Sequence, residues 1–324
     1  MDRRSVLGAG AVLGAVMVVQ PNAAWAADDQ MRPPSDAELT AARALFEAGA
    51  YDRLAGALPL LLAGAEHGVQ TGPGGAARAT GVWVLASQLA VKQGRTGAAG
   101  VYAGLAGAAA RRSGDALVLA AAARAAATPL RRTGRPGQAL DLLREAIVQL
   151  TSASRPGTAE LDAAGMAALA ASYTAAQAHL RTAADDFADE AEQTALRLER
   201  LPHPVGRPYQ LTADQCVLYR IGIHRQLGDI DTGLAYARRL NPGRLSTAER
   251  RARAATDIAR TLLDAGDTAG AFAQLCLVED AAPAEARRPS VRALTTRVAE
   301  RRPGLPGLAA YARRTTAATN MPSW

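Results

Sequence analysis

The side chains able to do chemistry in this chain are few and scattered. Its four histidines, His67, His179, His203 and His224, fall in four different segments. His203 sits between Pro202 and Pro204, and His224 lies along a predicted helix, so both read as solvated or hydrogen-bonded rings and not as general bases. Cys216 and Cys276 have no CxxC pair and no histidine at metal-ligand spacing, so they outline neither a zinc site nor a disulfide framework and read as buried thiols in apolar helices. The sequence contains no phosphate loop, no GxSxG elbow and no HExxH pair. The run DDFADEAE, Asp185 to Glu192, could attract a cation; at helical spacing it reads as an acidic solvated face whose first carboxylates lie near a helix amino terminus. The expectation is no catalytic residue, no metal and no cofactor.

Charge points to a partner class. The 37 basic residues outnumber 30 acidic ones for a net charge of +7, and only Lys92 among the basic residues is a lysine, a bias that GC-rich codons explain simply. From Arg238 onwards, 15 arginines face 8 carboxylates, which accounts for the whole excess. Such a stretch suits an acidic partner or an anionic surface, and its simpler reading is a solvated outer face. Direct nucleic-acid binding is disfavoured, because no recognition motif and no interleaved aromatic platform accompanies the arginines.

The elements that must position these residues are helices. Apolar residues make up 49% of the 324, yet aromatics only 4%, and segments such as ALVLAAAARAAATPL combine high helix propensity with no β-branched alternation. Residues 1–27 have the layout of a cleavable leader: a basic start, an apolar run from Val6 to Val19 too short to span a bilayer, and a small-x-small site at Ala24 to Ala26. Arg3 and Arg4 before Ser5-Val6-Leu7 resemble the twin-arginine export motif, which implies export with cleavage near Ala26 in preference to a cytoplasmic location. Gly8, Gly10 and Gly14 imitate a dinucleotide-binding run without its preceding strand or spacing.

A repeat organises the remainder. Taking the glycine that ends the first helix of each hairpin as a marker, Gly134 is followed at offsets of five, nine and twelve by Ala139, Leu143 and Ala146, and Gly266 by Ala271, Leu275 and Val278. Gly49, Gly94 and Gly228 repeat the pattern, and His179 occupies the marker place in a degenerate copy, giving six units. This pattern resembles the tetratricopeptide repeat (TPR), whose small residues stand where paired helices touch. The resemblance implies an all-α, TPR-like α-solenoid of about six hairpins over residues 35–302, after a linker at 28–34, with a C-terminal capping helix and a tail at 303–324. Marker spacings above the standard 34 residues predict long loops at 66–79, 151–158 and 201–212.

The segment from Gln215 to Ala299, opening QCVLYRIGIHRQLGDIDTGLAYARRLNPG, resembles the C-terminal sensor region of bacterial XRE-type helix-turn-helix transcriptional regulators, here without the DNA-binding domain. Three histories fit: an exported derivative, a cytoplasmic partner, or a truncated regulator. In TPR arrays the first helix of each hairpin lines the concave face, which implies a groove carrying Arg124, Arg131, Tyr173, Gln177, Gln215, Tyr219, Arg225 and Arg260, together with Arg43, Gln88, Lys92, Arg132 and Arg253. Guanidinium forks on carboxylates and glutamines on backbone amides would clamp an acidic or extended peptide. The expected partner is a peptide or protein of acidic character, a homodimer remains open, and an all-helical enzyme is the minor alternative, to be recognised by a closed pocket of converging titratable groups.

Overall fold

The computed structural model describes residues 32–201 and 207–316; the leader, most of the linker, His203 and the end of the tail lie outside the described residues. Within them every regular element is helical. Six hairpins follow in order: α1 (Asp36–Glu47) with α2 (Tyr51–Gly68), α3 (Pro73–Lys92) with α4 (Thr96–Ser113), α5 (Ala116–Arg132) with α6 (Pro136–Thr151), α7 (Thr158–Gln177) with α8 (Arg181–Glu199), α9 (Ala213–Gln226) with α10 (Ile230–Arg239), and α11 (Ala248–Asp264) with α12 (Thr268–Ala281). The short α13 (Pro283–Ala286), then α14 (Pro289–Arg301) and α15 (Leu308–Thr316), complete the chain. No helix among the described residues is long and apolar enough to cross a membrane.

All six marker residues stand at hairpin bends in the left-handed region, with φ of 70° at Gly49, 77° at Gly94, 74° at Gly134, 84° at Gly228 and 91° at Gly266. His179 adopts φ 57° at the fourth bend, where a side chain is strained but the bend is the same. The stripe five, nine and twelve residues later is buried in every unit apart from Ala237, which is half-buried. A zero- or one-carbon side chain at most offset-five positions lets the second helix approach the first closely. In two hairpins the contact carries a polar lock: Ser87 Oγ donates to the Ala99 carbonyl at 2.9 Å, and Ser172 Oγ to the Ala184 carbonyl at 2.6 Å.

The extra residues between markers go partly into helix length and partly into the expected loops. The segment expected as a loop at 66–79 is helix up to Gly68 and again from Pro73, whose missing N–H costs nothing at the first helical position. Helices α2 to α5, α7 and α8 each run 17 to 20 residues. The segment 152–157 is a genuine connection, and so is the described part of 201–212. The expected tail also holds structure: α15 buries Tyr311, and Arg314 pairs with Glu279 on α12 at 2.7 Å.

First helices pack side by side in the order α1, α3, α5, α7, α9, α11, and α11 returns to α1. The hairpins therefore close into a ring, with first helices inside. A buried polar seam makes the closure. Lys92, at the end of α3, donates from Nζ to Glu285 on α13 at 2.6 Å and also pairs with Glu249 on α11. Tyr51 donates to Glu285, and Arg288 Nη1 reaches the other Glu285 oxygen at 2.5 Å. Beside this cluster the Gly49 bend rests on Ala282, where an added Cβ would lie only 2.8 Å from the alanine methyl. The Lys92 ammonium also lies 5.5 Å and 5.7 Å from the Phe46 and Tyr51 ring centroids. The chain's single lysine thus lies between two carboxylates and two rings.

Burial opposes ionisation of Glu285, but Lys92 and Arg288, with the hydrogen bonds from Lys92 and Tyr51, outweigh it and hold the carboxyl down at about 2, against 4.5 for the free side chain. A carboxylate lowered on folding contributes stability that is complete above about pH 4.5 and is lost as pH falls toward 2. Denaturant titrations across that range are expected to trace this loss. Lys92→Met, which leaves a wholly buried carboxylate short of its principal cation, is expected to cost about 3–5 kcal/mol at neutral pH.

Candidate functional site

The ring surrounds a cavity of about 480 Å³ that opens to solvent, and all six first helices contribute to its wall. Its wall carries nine basic side chains against three carboxylates, Glu47, Glu249 and Asp257. Two of those carboxylates are already engaged. Glu249 pairs with Lys92 in the seam, and Asp257 accepts from Arg260 at 2.9 Å while lying 3.6 Å from Arg253. Among the described residues, no carboxylate lies within 4 Å of Arg124, Arg131, Arg132 or Arg250.

Three tyrosines support the arginines. Arg124 lies over Tyr209 with its guanidinium carbon 4.2 Å from the ring centroid, Arg131 over Tyr173 at 5.2 Å, and Arg253 over Tyr219 at 4.2 Å. Arg131 also donates to Thr174 and Thr128, each at 3.0 Å, and Arg253 Nη1 to the Tyr219 hydroxyl at 3.0 Å. Such stacking fixes guanidinium planes that would otherwise sample many rotamers. Room for Tyr173 comes from Gly222 on α9, where a Cβ would stand 2.9 Å from the ring.

Tyr209 owes its position to Asp162, a fully buried carboxylate on α7. Asp162 accepts from the backbone N–H groups of Tyr209 at 2.6 Å, Gln210 at 3.1 Å and Leu211 at 2.6 Å, and from Arg207 Nε at 3.3 Å. It fixes the connection from 207 to 212, in which Gln210 is held at φ 53°. One charged residue deep in an alanine-rich helix was the available sign of this role.

Of the residues implied by the repeat register, the cavity wall contains Arg124, Arg131, Tyr173, Tyr219 and Arg260, and likewise Arg43, Gln88, Lys92, Arg132 and Arg253. Three others do not line it. Gln177 is exposed at the end of α7; Gln215 is buried, with Nε2 3.5 Å from the Tyr209 carbonyl; Arg225 is held by Asp264 at 2.7 Å, joining α9 to α11. Register assigned them to the inner helices correctly, but a first helix has three sides and only one faces inward. Arg250 and Arg288, also on the wall, lay outside the expected set.

The acidic run Asp185–Glu192 is only partly solvated. Asp185, Asp189 and Glu192 all converge on Arg220, a buried side chain of α9, with Glu192 accepting from Nε at 2.7 Å. The run fastens α8 to α9, and among the described residues no cluster of histidine, cysteine and carboxylate could hold a metal. Cys216 is buried, its thiol pushed up to about 12 by burial first and then by Glu192, while Cys276 is half-buried. His224 stacks on Tyr236 at 5.3 Å.

Electrostatics inside the cavity follow from the excess of cations. Burial, then repulsion from Arg253 and Arg132, brings Arg131 down to about 10, with Tyr173 and Tyr219 acting in opposition. Burial alone would raise the Tyr219 phenol, but Arg253, Arg124 and Arg250 outweigh it and lower it from 10.0 to about 8. Comparison with protein families and with curated proteins finds no match for this chain.

Absorbance titration of tyrosinate is expected to show one step near pH 8 that Tyr219→Phe removes. Absence of any step below the ordinary tyrosine value would contradict the potential described.

Proposed function

We propose that this chain is a non-catalytic, TPR-like helical repeat module that holds an anionic guest at the centre of its ring, acting as a regulatory sensor or scaffold. One observation carries the reading: nine cations and three carboxylates line one cavity, and Arg124, Arg131, Arg132 and Arg250 there have no carboxylate within 4 Å. Withdrawing cations from water without a counter-charge is costly, and the Nε atoms of Arg124 and Arg131 are buried without an acceptor, so a bound anion would recover part of what the empty fold forgoes. Support for the repeat reading comes from the six marker bends and the buried stripe that follows each.

Closure changes the kind of guest the sequence suggested. An open trough would let an extended peptide lie along it; a cavity of about 480 Å³ takes a short acidic terminus or a small molecule. Titratable groups do converge there, as an enzyme would require. Yet Glu249 and Asp257 are committed to cations, the Tyr219 hydroxyl accepts from Arg253, and no histidine or cysteine stands among the described lining residues. Binding uses these groups as they are. A sensor role would follow if the guest, by neutralising Arg131 and Arg124, changed how tightly the inner helices pack.

Thermal melts with citrate, tetraglutamate, tetraglutamine and tetralysine test the reading. The anions should raise the melting temperature, less so at high salt because charge is screened, and the effect should vanish in Arg124→Gln/Arg131→Gln. Equal stabilisation by tetralysine, or none by any anion, would refute it.

A further inference from the structure

The four arginines without counter-charge do more than demand an anion; their number and surroundings select among anions. Arg124, Arg131 and Arg132 come from α5, and Arg250 from the first turn of α11, so they converge on the cavity from two elements. Arg43 and Glu47, four residues apart on α1, oppose each other in sign at the same wall. The four arginines share one wall of the cavity, and none has a carboxylate within 4 Å. The Nε atoms of Arg124 and Arg131 are buried without an acceptor, which adds to the cost of the empty cavity.

A peptide fits this poorly. Carboxylates along a chain are spaced by the backbone, so four of them bring several residues into a small space. Each residue also brings an N–H donor that needs an acceptor once buried, and of the wall's three carboxylates Glu249 and Asp257 already accept from cations. A phosphoryl group presents acceptors only and carries about −1.5 to −2 at neutral pH, so two linked groups bring about −3 to −4 to a wall whose cations outnumber its carboxylates nine to three. Arg124 and Arg131, held over the Tyr209 and Tyr173 rings, are guanidiniums, whose forked donors suit bidentate contacts with phosphate oxygens.

We propose that the central cavity is a site for a small molecule carrying two linked phosphoryl groups, a diphosphate, seated against Arg124, Arg131, Arg132 and Arg250. This rests on the anion-binding reading above and specifies its guest. Burial first, and then repulsion from Arg124 and Arg253, lowers Arg250, with Glu249 and Tyr219 acting in opposition.

Calorimetric titration of the full chain with inorganic pyrophosphate, citrate and tetraglutamate, at one ionic strength, is the test. Pyrophosphate is expected to bind at one site per chain and at least about tenfold more tightly than either carboxylate ligand. Arg250→Gln should weaken it about thirtyfold. Arg132→Gln, at an exposed position that folding does not depend on, should weaken it in the same direction, while Arg111→Gln on the outer helix α4 should leave it unchanged. Citrate or tetraglutamate binding as tightly as pyrophosphate would overturn the diphosphate assignment and leave the anion-binding reading standing. Pyrophosphate binding that neither Arg250→Gln nor Arg132→Gln alters would place it elsewhere and overturn the assignment too. Failure of all three ligands to bind would end both.

Discussion

Everything distinctive about this molecule depends on two carboxylates, one wholly buried and one partly so, sharing one ammonium. Lys92 reaches across the seam to Glu249 and Glu285, joining the end of the second hairpin's first helix to residues about 160 and 190 positions later. A buried charge cluster is poor evidence of stability by itself, since desolvation offsets most of the attraction. Its value here is geometric: it is satisfied only when α11 and α13 lie against α3, so it selects the closed arrangement over an open spiral of the same hairpins. Arg288 and Tyr51 complete the hydrogen bonding of Glu285 and make partial closure costly.

Closure then gives the alanine-rich sequence its cavity. Small residues at the marker offsets let paired helices approach closely, leaving little apolar bulk to fill the middle of the ring. The interior is instead lined by long side chains that reach inward from the first helices, and arginine dominates among them. Tyrosines take the part that aliphatic packing would play elsewhere: Tyr173, Tyr209 and Tyr219 give the guanidiniums a face to lie on. Asp162 sets one of these faces from behind by capturing three consecutive backbone N–H groups.

The sequence disclosed what is local. A left-handed bend after each first helix, and a buried stripe at fixed offsets beyond it, are written within about twenty residues of each marker, and even His179 obeys the bend although it is not glycine. Helix lengths were less legible, because Gly72 and Pro73 read as loop while serving as the cap and first residue of α3. Inward-facing positions were separable from lateral ones only in part: Arg124 and Arg131 face the cavity, but Arg225, on an equally inner helix, turns to Asp264. The seam was not legible at all. Lys92, Glu249 and Glu285 have no mutual spacing to read, and only the circumference of six hairpins brings them together.

The most direct measurement of ring closure is a spin-label distance across the seam, with labels at Asp52→Cys and Arg287→Cys, both exposed, in a chain whose Cys216 and Cys276 are replaced by serine. A closed ring predicts one short, narrow distance distribution that broadens and lengthens when Lys92→Met is added. A long, broad distribution that Lys92→Met leaves unchanged would mean that the hairpins do not close and that the cavity does not exist.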